Sequence, residues 1–275
     1  MIRRSFLKTL ATINTDSPIS FSSEAARMEN LYTKEAYELC KRLEFKNLLS
    51  RFDKDAVSES AIEQEFFSCT DLSGCESLFE KAAGNPEAGV ALLSDKKSIY
   101  MLGVALSKEE VYYIPVQGMI TGAYLSDKLL ALSKKTLLCS WDIKSMLKYV
   151  PIEDAACVFD AGVGAYLLNP LKSSYDYDDT AREYLNGMLI PSREDLLGKE
   201  TYEAAWEKEK EELGLYAGYM AYAALACREP IENALKDTGM WNVYREIELP
   251  LIFTLDSMEK NRNSCAGGGT EGLRR

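Results

Sequence analysis

The stretch TLLCSWDIKSMLKYVPIEDAACVFDAGVGAYLLNP, residues 136–170, contains the succession of elements that decides the fold. Its pattern predicts a short buried strand at 136–139, an amphipathic helix at 141–149, a second apolar strand at 155–159 and another helix at 160–168. A strand that leads directly into a helix, twice in succession, is typical of layered α/β folds.

Three apolar runs precede this stretch, and short charged turns separate them. They lie at 89–93, 98–105 and 110–115, and such close spacing predicts a three-stranded antiparallel meander. A helix at 121–133 then leads to the strand at 136–139, which we expect to lie parallel to the first strand. This order of elements predicts a ribonuclease H-like α/β fold, in which a mixed sheet of three antiparallel and further strands is covered by helices.

The pattern after residue 178 predicts a helical C-terminal half. Helices are expected at 180–185, 199–228, 230–238 and 241–260. Pro230 is expected to end the longest of them and Pro250 to kink the last, because proline lacks the backbone N–H and clashes with the preceding turn.

Charge and histidine content restrict the chemistry that the chain can perform. The net charge of the 275 residues is −11, and residues 61–260 carry 19 Lys and Arg against 33 Asp and Glu. Such a body repels phosphate backbones, so on its own it is expected to bind nucleic acid poorly. The absence of histidine excludes Ser-His-Asp and Cys-His catalysis and histidine-ligated metals.

Cysteine spacing and hydropathy indicate the compartment. The seven cysteines are an odd number with no C-x-x-C pair, which favours a reducing environment. No apolar run approaches the roughly 20 residues of a membrane span, and the N-terminal stretch is a poor signal peptide. We therefore expect a cytoplasmic protein that does not contact membranes.

Several strings in the chain resemble bacterial DNA polymerase I, a family A DNA polymerase. They are FDAGVGAYLLNP (159–170), YDYDDTAREYL (175–185), GMWNVYREIELPLIFTLDSMEKN (239–261), LATINTDSPI (10–19) and LEFKNLLSRF (43–52). The most specific is E-x-E-L-P-L-x-x-x-L-x-x-M-E, which in that family opens the polymerase domain. The resemblance covers about residues 5–261.

The resemblance implies four regions. Residues 1–57 would be the end of a 5′-nuclease region and a linker arm, 58–240 a 3′→5′ exonuclease-like domain, 241–260 the first helix of the polymerase domain, at the start of the thumb, and 261–275 a disordered tail foreign to the family. The remainder of both outer domains would be missing. We therefore expect a truncated chain, and the Gly-rich tail suggests a frameshift.

Exonuclease domains of this family hydrolyse phosphodiesters with two divalent metals about 4 Å apart, which several carboxylates must neutralise. Their first strand supplies a D-x-E pair. The resemblance places these positions at Ala91 and Leu93, and a shift of one residue would place them at Leu92 and Ser94. Neither register supplies a carboxylate.

The remaining family positions fall on two helices. Met146 stands where an Asp would bind metal, and Asp142, one turn earlier, is expected to stabilise the helix N-terminus rather than to act as a displaced ligand. The Y-x-x-x-D motif retains Tyr216, but Met220 replaces its Asp. The resemblance thus implies a degenerate exonuclease site at Ala91, Leu93, Met146, Tyr216 and Met220, with no catalytic residue.

These residues lead to one function and two alternatives. We expect a non-catalytic exonuclease-like domain that supports the polymerase domain of a DNA polymerase I–type parent, whose DNA synthesis in replication and repair would use Mg²⁺. The chain itself would bind no cofactor, would be monomeric and would meet DNA only through the parent, with Lys46 and Arg51 as possible DNA contacts. The alternatives are an active metal-dependent 3′→5′ exonuclease with an atypical site, and an interaction module that docks on a separate polymerase domain.

Overall fold

The computed structural model describes residues 66–262 and a few isolated positions before them. The chain divides into two units, Met1–Glu59 and Ser60–Arg275, and the elements below belong to the second. Most of the predicted arm at 1–57, including Lys46 and Arg51, lies outside the described residues. Of the tail predicted at 261–275, Asn261 and Arg262 are helical and the residues from 263 onward lie outside the described residues.

The described chain forms a six-stranded mixed sheet in the order β1-β4-β3-β2-β5-β6. Its strands are β1 (Phe67–Ser68), β2 (Glu87–Ser94), β3 (Ile99–Ala105), β4 (Val111–Pro115), β5 (Leu137–Ser140) and β6 (Val158–Asp160). β2, β3 and β4 form the predicted antiparallel meander, and β5 lies parallel to β2 as expected. β6 extends the parallel part, and β1 pairs parallel with β4 at the opposite edge.

Ten α-helices accompany the sheet in the described residues. They are α1 (Leu72–Ala82), α2 (Gly122–Ser133), α3 (Ile143–Leu147), α4 (Ala161–Leu168), α5 (Tyr177–Tyr184), α6 (Arg193–Leu197), α7 (Tyr202–Lys208), α8 (Lys210–Asp237), α9 (Trp241–Val243) and α10 (Leu249–Arg262). A 3₁₀ turn, Ala155–Cys157, precedes β6, and a π-helical turn, Tyr244–Glu248, joins α9 to α10. Polar side chains cap several N-termini, as Thr121 does for α2 and Asp71 for α1.

The longest helix, α8, crosses one face of the sheet and contacts four strands, β2 to β5. It approaches closely because two strand residues opposite it are glycines. A Cβ on Gly89 would lie 2.1 Å from the Ala221 carbonyl oxygen, and one on Gly103 would lie 2.1 Å from that of Ala217. The helix backbone therefore rests directly on β2 and β3, and this contact fixes the position of the α8 side chains relative to the sheet.

The structure corrects the prediction for the longest helix. The region 199–228 is two helices, α7 and α8, separated at Glu209, whose backbone (φ −137°) is not helical. Pro230 does not end α8 but lies inside it, and the predicted short helix at 230–238 is the end of the same helix. Packing of α8 on the sheet and on α4 compensates for the hydrogen bond that proline cannot make.

Other element boundaries also differ from the prediction. The helix expected at 180–185 begins earlier, at Tyr177, and the helix expected at 141–149 is confined to α3. The apolar run at 155–159 opens with a 3₁₀ turn, so β6 starts at Val158. The kink expected at Pro250 is replaced by the π-helical turn directly before α10. Pro250 itself lies in the first turn of α10, where the missing backbone N–H costs the helix little.

Candidate functional site

The first pair of predicted site residues lies on β2, against α8. Ala91 pairs with Gly103 in the sheet register. Because side chains alternate along a strand, Ala91 and Leu93 point to the same face as Gly89, the face that α8 covers, whereas Leu92 points to the other. Both Ala91 and Leu93 are 2% exposed. Of the two D-x-E registers that the resemblance allows, the one at Ala91 and Leu93 faces the long helix. Both of its positions hold buried apolar side chains.

Met146 lies on α3, which contacts β2 and β6. Its side chain is 1% exposed and belongs to the main hydrophobic core. Asp142 is the N-cap of α3, because its Oδ1 accepts a hydrogen bond from the Ser145 N–H (3.0 Å) and its Oδ2 one from the Ser145 hydroxyl (2.5 Å). These bonds give Asp142 the helix-stabilising role that the sequence predicts.

Tyr216 and Met220 share one face of α8, four residues apart. Tyr216 is buried between two other tyrosines, with ring centroids 5.7 Å from Tyr177 and 6.2 Å from Tyr202. Burial, together with its hydrogen bond to Tyr202, raises the pKa of the Tyr216 phenol well above its ordinary value. Met220 is half-buried and packs against the core. This tyrosine is therefore held as a protonated packing residue.

Asp160 is a buried carboxylate whose place in the site region was not predicted from the sequence. It ends β6 and caps α4, with its Oδ1 accepting from the Val163 N–H (2.9 Å). Its Oδ2 accepts from the Ile143 N–H at the start of α3 (2.9 Å). Burial raises the pKa of Asp160 to about 7, although both hydrogen bonds act in the opposite direction. Each of its oxygens therefore binds one helix N-terminus. Its only sequence signal was its position as the first residue of the helix predicted at 160–168.

Asp95, near the end of β2, belongs to the turn between β2 and β3. Its Oδ1 accepts from the N–H groups of Lys97 (2.7 Å) and Ser98 (2.9 Å), and its Oδ2 accepts from the Tyr100 hydroxyl (2.9 Å). These hydrogen bonds lower the pKa of Asp95. The side chain therefore stabilises the turn and is not free to serve as a metal ligand on the α8 face.

The donor set at the predicted positions does not fit a divalent metal. Alanine and leucine offer no ligand atom, and the methionine thioether is a soft ligand that Mg²⁺ does not use. Within residues 66–262, no group of three or more Asp, Glu, Cys or His side chains is arranged to hold a metal ion. Two surface pockets of about 470 and 500 Å³ are lined by other residues, the first around Met119 and the second around Tyr149.

The amino-acid sequence is similar to those of two curated proteins. DNA polymerase I of Bacillus subtilis (strain 168) is 24% identical over 266 residues, which is 92% of this chain. The chain is similar to bacterial DNA polymerase I over most of its length. DNA polymerase I of Caldicellulosiruptor bescii is 25% identical over 185 residues, or 65% of this chain. The chain spans only 28% and 20% of these two relatives. No protein-family profile matches it.

Solved structures confirm the fold. Brucella melitensis NrnC superimposes with a TM-score of 0.52 at 9% identity, over 78% of this chain and 100% of NrnC. The catalytic core of RRP6 from Trypanosoma brucei gives 0.50 at 13% identity, over 70% of this chain and 53% of RRP6. The POL domain of Pol1 from M. smegmatis gives 0.51 at 18% identity, over 71% of this chain and 32% of that one. The fold is the ribonuclease H-like α/β fold that the sequence predicts.

Among the described residues, no helix is both long enough and apolar enough to cross a membrane.

Proposed function

We propose that this chain is a non-catalytic 3′→5′ exonuclease-like domain of the DNA polymerase I type, which acts as a structural support for a polymerase domain. The proposal rests on one observation, which is that buried apolar side chains fill the region where the family resemblance implies a metal site. Ala91, Leu93 and Met146 are buried to 98% or more at the positions where the family resemblance requires metal-binding carboxylates.

Electrostatics supports the same conclusion. Two divalent cations about 4 Å apart repel each other strongly, and only several carboxylates make their binding favourable. Asp160 is the buried carboxylate that lies nearest to Met146 in the sequence. Both of its oxygens already accept hydrogen bonds from N–H groups at helix N-termini. Without cations, neither a metal-bound hydroxide nor stabilisation of the developing phosphate charge is available.

Packing supports it as well. The backbone contacts of Gly89 and Gly103 with α8 hold the helix against β2 and β3, and Tyr216 is enclosed by Tyr177 and Tyr202. The apolar side chains thus replace metals and water with a close-packed core, for which methionine is well suited because it adapts to irregular gaps.

A nuclease assay tests this proposal. The purified full-length chain is incubated with 3′-labelled and 5′-labelled single-stranded DNA and with Mg²⁺ or Mn²⁺. We expect no metal-dependent shortening from the 3′ end and no rise in melting temperature on addition of either metal, because a cation that binds the folded state would stabilise it.

Two variants identify the source of any activity that is observed. Tyr216→Phe removes the hydroxyl at the position of the family motif, and Tyr222→Phe removes one from another buried tyrosine of α8. Shortening that Tyr216→Phe abolishes and Tyr222→Phe leaves intact would establish an active exonuclease with an atypical site and overturn the proposal. Shortening that survives both changes equally identifies a contaminating nuclease.

The C-terminal helix favours a second candidate function, docking on a separately encoded polymerase domain. Leu251, Leu255 and Met258 of α10 and Ile247 of the π-helical turn before it are all at least 40% exposed, and their spacing of four, four and three residues places them on one side of the helical segment. We refer to these four residues as the α10 stripe. An exposed apolar surface of this kind marks interaction sites.

The opposite side of α10 is fixed to the domain. Leu249 and Ile252 are buried, Lys144 of α3 forms an ion pair with Glu259 (2.6 Å), and Lys260 Nζ donates to the Leu147 carbonyl (3.1 Å). The α10 stripe is therefore presented by a helix whose other side is already anchored.

Co-elution with a purified polymerase domain of the DNA polymerase I type tests the docking function. Leu251→Glu is expected to weaken binding at least tenfold, because it places a charge in an apolar interface. Ser257→Glu, an exposed position beside the stripe on the same helix, is the matched control and should leave binding unchanged. Absence of binding by the unmodified chain would eliminate docking, while the support function within a single polypeptide would stand.

A further inference from the structure

Two thiols at the beginning of the described domain lie in direct contact. Cys69 follows β1 and Cys75 lies in the first turn of α1, and their Sγ atoms are 3.1 Å apart. Both are free cysteines and both are buried, Cys69 with 7% and Cys75 with 0% of its surface exposed. This contact has no role in the exonuclease-like site or in the docking function.

The backbone holds the two sulfurs together. The Cys69 N–H donates to the Tyr113 carbonyl at the sheet edge (3.0 Å), and the Cys75 N–H donates to the Asp71 carbonyl (3.1 Å). Asp71 also caps α1 through the Gly74 N–H (2.8 Å). Since both segments are fixed by regular hydrogen bonds, the thiols meet without any rearrangement of the fold, and their effective concentration toward each other is high.

We propose that Cys69 and Cys75 are a redox-active dithiol, which a small-molecule disulfide such as glutathione disulfide converts to an intramolecular disulfide. The Cys69 thiolate attacks one sulfur of glutathione disulfide, forming a mixed disulfide and releasing one glutathione thiolate. The Cys75 thiolate then attacks Cys69 Sγ, forming the Cys69–Cys75 bond and releasing the second glutathione. The protein loses two protons and two electrons, and the reagent is reduced to two thiols.

The surroundings assign the order of the two attacks. Cys69 is the more exposed of the two residues, so the reagent reaches it first. Burial raises the pKa of both thiols, and either sulfur can donate the hydrogen bond between them, so the difference in exposure sets the order. Cys69 is therefore the attacking thiol and Cys75 the resolving thiol.

Mass spectrometry after acid quenching and alkylation tests the proposal on the full chain. In a series of glutathione redox buffers, we expect the peptide that spans 69–75 to carry two alkyl groups when it is reduced and none when it is oxidised, the oxidised peptide being about 2 Da lighter than the unalkylated dithiol. Cys75→Ser should trap glutathione on Cys69, while Cys69→Ser should leave Cys75 unmodified. Cys157→Ser, a change at a more exposed cysteine beside Asp154, is the matched control and should behave as the unmodified chain does.

Stability provides a second readout. A disulfide that closes so short a loop is expected to shift the folding equilibrium toward the native state by roughly 10- to 100-fold. The melting temperature of the oxidised chain should therefore exceed that of the reduced chain, and neither serine variant should show this difference. Cys69→Ala and Cys75→Ala serve if a serine variant does not fold.

Three results would overturn the proposal. The peptide spanning 69–75 could stay reduced in buffers that oxidise Cys157, the Cys75→Ser variant could carry no glutathione on Cys69, or oxidation could leave the melting temperature unchanged.

Discussion

Replacing Gly103 with alanine tests the backbone contact that positions α8 on the sheet. The new Cβ would lie 2.1 Å from the Ala217 carbonyl oxygen and 2.5 Å from its carbon. To reach the 3.4 Å at which ordinary contact begins, the helix must move by about 1.3 Å, the difference between 3.4 and 2.1 Å. A gap of about 0.5–1 Å already forfeits roughly a quarter to a half of the dispersion energy per atom pair, and overpacking alone costs about 1–3 kcal/mol. We expect the free energy of unfolding to fall by about 3 kcal/mol.

Urea unfolding followed by circular dichroism measures this change. Gly122→Ala is the matched control, because its Cβ would meet Ile99 side-chain atoms no closer than 3.4 Å, and it should change the free energy by less than about 0.5 kcal/mol. Ala217→Gly should not rescue Gly103→Ala, since the clash is with the Ala217 backbone. A loss below about 1 kcal/mol for Gly103→Ala, or rescue by Ala217→Gly, would refute the contact.

Three further changes test the surroundings of the site. Burial raises the pKa of Asp160 from 3.8 in the unfolded chain to about 7 in the folded protein. Protonation of Asp160 therefore adds up to about 4 kcal/mol to the free energy of unfolding. This contribution is complete below about pH 4 and is lost as the pH rises through about 7. Asp160→Asn should remove that pH dependence from urea unfolding at pH 4–8, and an unchanged profile would contradict the assignment. Pro230→Ala should stabilise the chain by about 1–2 kcal/mol in thermal melts, because the alanine N–H can bond the Ala226 carbonyl inside α8; destabilisation would show that the proline ring contributes packing. The Lys144–Glu259 pair is partly exposed, so a double-mutant cycle to alanine should give a coupling below about 1 kcal/mol, and a larger value would make this pair the anchor of α10.

The meander was predictable because its signals are local. Apolar runs separated by charged turns define β2 to β4, and the alternation of side chains places Ala91 and Leu93 on one face. The starts of two helices were predictable to within one residue, because α2 and α4 begin directly after Thr121 and Asp160, the first residues of the helices predicted at 121–133 and 160–168. These predictions needed only the neighbours in sequence.

The break at Glu209 and the continuity of α8 through Pro230 were not predictable in the same way. Proline lowers helix propensity wherever it occurs, and the sequence contains no measure of the packing on the sheet and α4 that outweighs it. The parallel pairing of β1 with β4 also escaped prediction, because two residues carry no periodicity.

The amino-acid sequence alone determined the strand order of the meander, the ribonuclease H-like class, the likeness to DNA polymerase I and the absence of carboxylates at the four positions where the resemblance implies them, Ala91, Leu93, Met146 and Met220. Each of these depends on residue identity and local pattern. The tertiary structure alone decided that α8 rests its backbone on Gly89 and Gly103, that Asp160 joins two helix N-termini and that Cys69 meets Cys75. These are contacts whose geometry depends on how whole elements pack, which no local pattern specifies.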